Sequence, residues 1–400
     1  METHDLYRKK EECCGCEICV NECPQKIIEM KSDEEGFFYP HIFNSAKCIN
    51  CKKCLMSCPF KKIQDEYSEF DGYYAGSLKT NETKTCASGG AATAISKKFV
   101  EKGGIVYGVA YEEKFNNIKY ERAVDGATIE KFKGSKYAQA RKNEVYNQIK
   151  LDLKNNKEVL FIGLPCEVSA LKKATRGISQ NLYTIELVCH GPTSLKVHKE
   201  YCEGLKKRYS SEIGEFSVRY KKDGKWKPYY VRAKMKNGTE HIEKFHESDY
   251  GIAFRYLKRP SCNVCSIKTP YLYGDIMLGD YHAASLGMPC FNPQGVSVLL
   301  PHSLKGKRLL DMLDNEFEMC EISQHSALLN QAIKMAIPKR SYRNGFSKVF
   351  QKFGLYRATH RPEVVLVDTL EKTKQRIMGV GSKVKKTILR KVKNENKTGN

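Results

Sequence analysis

The apolar positions of this chain change period repeatedly between residues 86 and 337, and each change predicts an element. Residues 89–103 carry Ala92, Ile95, Phe99 and Val100 at helical spacing. Residues 105–110 and 118–124 read as strands, and 128–132 as a third. An amphipathic helix over 145–155 leads into the buried strand Glu-Val-Leu-Phe-Ile-Gly at 158–163. A helix from Cys166, a strand over 183–188 and a helix over 193–208 follow. That alternation predicts a parallel sheet with crossover helices. Residues 214–245 instead alternate apolar and polar around Asp223-Gly224 and Asn237-Gly238, the hairpin turns of an antiparallel excursion. Short strands over 275–278 and 295–300 return to the main sheet, and 303–337 reads as two helices. Upstream, 62–80 reads as a polar connector rich in Tyr and Glu.

The first sixty residues are organised by cysteine instead. One run is Cys13-x2-Cys16-x2-Cys19-x3-Cys23-Pro24, and Cys48-x2-Cys51-x2-Cys54-x3-Cys58-Pro59 repeats it 35 residues on. This duplication is the signature of a two-cluster ferredoxin. Two residues between ligands let the backbone curl round a cluster corner, and the trailing cysteine serves the other cluster. The assignment is therefore Cys13, Cys16, Cys19 and Cys58 to one [4Fe–4S] cluster, and Cys48, Cys51, Cys54 and Cys23 to the second. Cys14 is a spare. A zinc ribbon would need two CxxC pairs rather than two triplets.

Further along, Cys166 and Cys189 each follow a predicted strand, so both should emerge at the carboxyl edge of the sheet, where ligands of open α/β sheets collect. Cys262 and Cys265 add a CxxC. Two single ligands and one CxxC are enough for a third [4Fe–4S] centre or a tetrahedral zinc, and spacing alone does not choose between these and four thiols without a metal. Cys290 is near enough in sequence to substitute, while Cys86, Cys202 and Cys320 read as ordinary thiols. Ser88-Gly89-Gly90 opens a helix whose amides favour phosphate, and Lys133-Gly-Ser135-Lys136-Tyr137 offers a turn between cations. His190 is a candidate proton donor beside a flavin. No G-x-G-x-x-G follows a strand, so a nicotinamide site is not indicated.

Composition narrows the class. Four hundred residues predict two or three domains, and 41% hydrophobic with 28% charged residues is a globular balance. With no apolar run of membrane-spanning length and no apolar stretch at the N-terminus, the expectation is a cytosolic protein. There, 17 cysteines are read as ligands or catalytic groups rather than disulfides. The formal charge of +22 suits an anionic cofactor or an acidic redox partner, and no nucleic-acid motif accompanies it. Ten Lys or Arg against two Glu lie in residues 371–400 alone. There Val384, Ile388 and Val392 line one face of a basic helix that could touch an anionic membrane, or form a solvated tail.

Taken in order, these segments resemble the coenzyme F420 hydrogenase/dehydrogenase beta subunit family. The resemblance rests on the cysteine repeat, Ser88-Gly-Gly90, Lys133-Gly-Ser-Lys-Tyr137, Val159-Leu-Phe-Ile-Gly-Leu-Pro-Cys166 and Leu187-Val-Cys-His-Gly191. Arg259-Pro-Ser-Cys262 with Cys265, and Gly274-Asp275 to Gly279-Asp280, complete it. The family implies FAD in an α/β domain and a further [4Fe–4S] cluster on Cys166, Cys189, Cys262 and Cys265. Flavin contacts would fall on Ser88, Gly89, Gly90, Ser135, Lys136 and Asp280. This chain departs at Gly163-Leu-Pro-Cys-Glu167, at Tyr281-His-Ala283 and at Pro289-Cys-Phe-Asn-Pro293, where the family usually has Gly-Thr-Pro-Cys-Gln, an aromatic-Trp-Gly and an Asn/Asp-rich segment.

The expected fold class is mixed α+β and α/β: a dicluster ferredoxin fold (1–62) joined to an α/β flavin-binding domain in two parts (63–145 and 146–302), a helical extension (303–370) and a basic tail (371–400). The expected function is an iron–sulfur flavoprotein oxidoreductase linking a ferredoxin-like donor to a two-electron substrate, such as F420 or another acceptor. Two alternatives stand beside it: a non-catalytic electron-transfer subunit, and a family member recruited to surface-polysaccharide metabolism.

Overall fold

The computed structural model describes residues 1–61, 69–268, 273–313, 315–367 and 369–370. The chain divides into two compact units, Met1–Arg340 and Ser341–Asn400.

The first unit begins with a hairpin of β1 (Ile28–Ser32) and β2 (Phe38–Ile42), paired from Ile28 opposite Ile42 to Ser32 opposite Phe38. Two short helices, Ile18–Glu22 and Lys53–Met56, accompany it. The sequence repeat is also a backbone repeat. Gly15 and Asn50 both have positive φ, as do Glu17 and Lys52, which open the two helices in the left-handed conformation. Each cysteine loop thus makes the same sharp curl at the same step.

The main sheet contains β3 (Tyr74–Leu78), β4 (Ile105–Tyr111), β5 (Ile118–Ala123), β6 (Val159–Gly163) and β7 (Leu182–Leu187). A separate antiparallel sheet is formed by β8 (Ile213–Tyr220), β9 (Tyr230–Met235) and β10 (Glu240–Lys244). The chain then returns with β11 (Ile276–Asp280), β12 (Ser297–Pro301) and β13 (Phe317–Glu321), giving the order β13-β3-β12-β11-β7-β6-β4-β5. The four strands β11, β7, β6 and β4 are parallel, and both flanks are antiparallel. Every residue of β6 is buried because both faces are covered. Val159 and Phe161 face one core with Ile149, Val168 and Leu171, while Leu160 and Ile162 face the other with Ile95, Phe99 and Leu309. Cys14, Cys16 and Ile18 belong to the first of these cores. The cysteine module is therefore packed onto the sheet, not tethered beside it.

Three expectations are corrected. Residues 128–132 are helical (Gly126–Phe132), because the Asp125 carboxylate accepts from the Thr128 amide at 2.7 Å and caps the first turn. The connector at 62–80 contains β3, whose Tyr-Ala-Gly-Ser-Leu sequence has little strand propensity and is held by ladders on both edges. A Cβ on Gly76 would meet the Phe317 ring at 2.3 Å, so the close approach of β13 requires that glycine. Residues 303–337 hold β13 between short helices rather than two helices alone. In the second unit a helix spans Arg343–Thr359, interrupted at Gly354. No helix among the described residues is long and apolar enough to cross a membrane. The basic tail, with Val384, Ile388 and Val392, lies outside the described residues.

Candidate functional site

The eight cysteines of the N-terminal repeat fall into two groups by position. Cys23, Cys48, Cys51 and Cys54 line one crevice with Ile27, Ile28 and Ile42. Cys58 lies within electrostatic range of Cys13 and Cys16, and Cys19 within range of Cys13 and Cys58. Each trailing cysteine, Cys23 or Cys58, therefore sits with the other run's triplet. The second group reaches the surface: Cys51 is exposed, as are Ile49, Lys52, Lys53 and Met56. The first group is turned inward.

The third set is built at the carboxyl edge of the parallel strands. β6 ends at Gly163 and the next helix, Pro165–Ala174, carries Cys166 in its first turn. β7 ends at Leu187, two residues before Cys189. Gly191, at φ +82°, turns the chain so closely that a Cβ there would lie 2.8 Å from the Cys262 Cβ. The Gly191 amide donates to the Cys189 sulfur at 3.2 Å. Lys268 binds the Cys189 carbonyl, and Lys258 donates to the Gly191 carbonyl at 3.2 Å. Cys265 and Cys166 both pack on the core that contains Cys14 and Cys16. Cys14 lies within electrostatic range of both Cys16 and Cys166, which places the spare thiol between the first set and the third.

A single zinc would draw four sulfurs to ≈ 2.3 Å from one point. Among the described residues no three Cys, His, Asp or Glu gather that closely. Cys166, Cys189, Cys262 and Cys265 are all free thiols. Cys290 is not among them. It is bonded to Cys320 across the flank of the sheet, where Ser77 of β3 donates to the Cys290 carbonyl at 3.2 Å. The readings of Cys290 as a substitute ligand and of Cys320 as a free thiol are corrected accordingly.

Beside the third set lies a cavity of about 310 Å³, lined by Ser88, Gly90, Ser135, Lys136, Cys189, His190 and Asp280 among others. Thus most of the residues singled out for a flavin converge on one space, within the size range of small-molecule sites. Gly89 is set behind the wall. Its amide donates to Ser297 Oγ at 3.0 Å, and a Cβ would meet the Gly76 carbonyl at 2.3 Å. The Ser88 hydroxyl is anchored on the Val296 carbonyl at 2.9 Å. Lys136 donates to the carbonyls of Lys131 and Lys133, capping the preceding helix, and burial pulls its pKa down to about 7. Burial and then the nearby ammoniums of Lys258 and Lys268 lower the His190 pKa to about 4.

Two features of the wall escaped the sequence pattern. Arg219, from β8, reaches the cavity and donates to Asp280 at 3.0 Å, to Tyr137 OH at 3.0 Å and to the Ala87 carbonyl at 2.8 Å. Burial opposes charge on Asp280, yet Arg219 holds its pKa below the ordinary carboxylate value. Lys221 ties the carbonyls of Thr83 and Ser88. Arg219 was not legible because a charge on an alternating strand normally faces water, and Lys221 lies just past the end of that strand. The other feature is the buried pair Lys142–Glu167, at 2.6 Å, whose carboxylate also accepts from Tyr120 OH and the Leu164 amide.

Residues 156–325 match the family model that describes the C terminus of the coenzyme F420 hydrogenase/dehydrogenase beta subunit. That stretch of the chain belongs to the family. Residues 12–62 match the 4Fe–4S dicluster domain, which makes the N-terminal part of this F420 hydrogenase/dehydrogenase beta subunit relative an iron–sulfur module. The structure is also similar to a chain of the xenon-derivatised F420-reducing [NiFe] hydrogenase complex from Methanosarcina barkeri. That likeness has 18% identity and a TM-score of 0.45, over 74% of this chain and 93% of that one. No curated protein sequence matches the chain.

Proposed function

We propose that the protein is an iron–sulfur flavoprotein oxidoreductase with a [4Fe–4S] cluster on Cys166, Cys189, Cys262 and Cys265 and FAD in the adjoining cavity. One observation carries this reading: Cys189 belongs both to the third cysteine set and to the cavity wall. Clusters supply single-electron exchange, and a bound flavin supplies the conversion between single electrons and pairs. The chain's own residues do the rest. Gly90, at φ +89°, opens the helix Ala91–Glu101 toward the cavity, presenting amides suited to a phosphate. Arg219 and Asp280, both on the cavity wall, tie the two sheets together. The apolar wall of Ile162, Leu187 and Leu278 excludes water from a ring bound against it.

Anaerobically isolated protein is expected to contain about twelve iron and twelve sulfide per chain, from three cubanes, with one flavin. Eight iron with zinc in place of the rest would refute the third cluster. Full iron without flavin would reduce the protein to an electron-transfer subunit.

On the same reading the external redox partner docks at Cys51. Ile49 and Met56 form an apolar centre there, and the exposed Lys47, Lys52 and Lys53 have no carboxylate partner among the described residues. Such a surface suits an acidic electron carrier. Changing Lys52 and Lys53 together to Glu should slow reduction by an acidic ferredoxin by roughly ten-fold or more at low salt, since steering contributes at least that much to association. Reduction by dithionite should be unchanged. Equal rates with the ferredoxin would move the docking surface elsewhere.

A further inference from the structure

Arg259 is wholly buried, yet among the described residues it forms no ion pair with a carboxylate. Its guanidinium instead enters the first cysteine loop. Nε donates to the Cys13 carbonyl at 2.7 Å, Nη1 to Gln139 Oε1 at 2.9 Å and Nη2 to the Phe38 carbonyl at 2.9 Å. Nη2 also lies 3.6 Å from the Cys13 sulfur. The Tyr39 ring covers it at 4.2 Å. Gly15 makes the room: a Cβ there would sit 2.6 Å from Nη1 and 2.8 Å from the Gln139 amide. The main chain of the same residue belongs to the third set. Its amide donates to the Pro192 carbonyl, just past Gly191, and its carbonyl accepts from the Cys262 amide at 2.9 Å.

A buried guanidinium is costly without a countercharge. The nearest groups able to supply one are the thiolates of the first cysteine set, and a four-cysteine cubane carries about −2 overall. We propose that Arg259 is a positioning residue that ties the first cysteine loop to the third cysteine set and raises the reduction potential of the cluster held by Cys13. The proposal rests on the cluster reading above. The physical argument is electrostatic. Reduction adds one electron and one negative charge to that cubane, with no bond made, and a fixed cation at the ligand sulfur favours the reduced state. Charge and hydrogen bonds at the sulfurs are the protein's means of setting such potentials.

The test is a potentiometric titration followed by electron paramagnetic resonance in Arg259→Gln and Arg259→Lys, with iron and sulfide counted in each. Arg259→Gln should shift one cluster to lower potential and leave the other ferredoxin cluster where it was. Arg259→Lys keeps the charge, gives up the fork and the bond to sulfur, and should fall between Gln and wild type. An unmoved potential in either iron-replete variant overturns the proposal. Loss of one cubane from both variants also overturns it, by making Arg259 a structural residue alone. Wild-type protein without acid-labile sulfide would instead sink the cluster reading itself.

Discussion

Replacing Lys142 with Met is expected to destabilise the Met1–Arg340 unit by about 3–5 kcal/mol, the usual cost of breaking a buried ion pair on one side. The Lys142 side chain is 0% exposed and that of Glu167 is 3% exposed, so neither charge can turn to water when the other is removed. Lys142 also donates to the Ala140 carbonyl at 2.8 Å. Without the ammonium, the Glu167 carboxyl would be left buried beside Cys166 with only Tyr120 OH and the Leu164 amide as partners. Adding Glu167→Gln should recover most of the loss, because an amide oxygen can accept the same two bonds and carries no charge. Chemical denaturation of the single and double variants measures both effects. A Lys142→Met protein as stable as wild type, or a double variant no better than the single, would show that the pair does not hold this turn.

The second large effect concerns Cys166. Cys166→Ala removes one ligand of the third set and is expected to lower the iron and sulfide content by about a third, one cubane in three. The two ferredoxin clusters should remain, since their eight cysteines lie in the other two groups. Flavin should stay bound, because Cys166 is not on the cavity wall. What should be lost is communication: a donor that reduces the ferredoxin clusters should no longer bleach the flavin at the wild-type rate in stopped flow. Cys14, which lies within electrostatic range of both Cys16 and Cys166, is the internal control. Cys14→Ala should keep the iron content of wild type. If Cys166→Ala bleaches its flavin normally through the clusters, the third set is not on the path.

Much of this protein could be read from its residues because the relevant signals are local. A cysteine loop curls around a cluster corner within four to eleven residues, so the repeat at Cys13 and Cys48 shows in spacing alone, and the structure repeats it in the left-handed residues Glu17 and Lys52. The parallel strands β6 and β7 were legible because burial on both faces leaves a continuous apolar run. The carboxyl-edge positions of Cys166 and Cys189 then followed from strand polarity.

Pairing in space settled the remainder. β3 has a weak strand sequence and exists because β12 and β13 flank it, and β13 itself was hidden in a stretch that reads as helix. Residues 128–132 were decided by one capping carboxylate outside the segment. Cys290 found Cys320 rather than a metal set, Arg219 crossed from a separate sheet to Asp280, and Arg259 joined two cysteine loops 246 residues apart at its contact with Cys13. The sequence by itself determined the chemistry of the ligands and the central strands, since those depend on short-range spacing and on which side chains avoid water. Only the tertiary structure decided which charges meet, because a buried ion or guanidinium is specified by partners far along the chain and leaves no periodic mark where it stands.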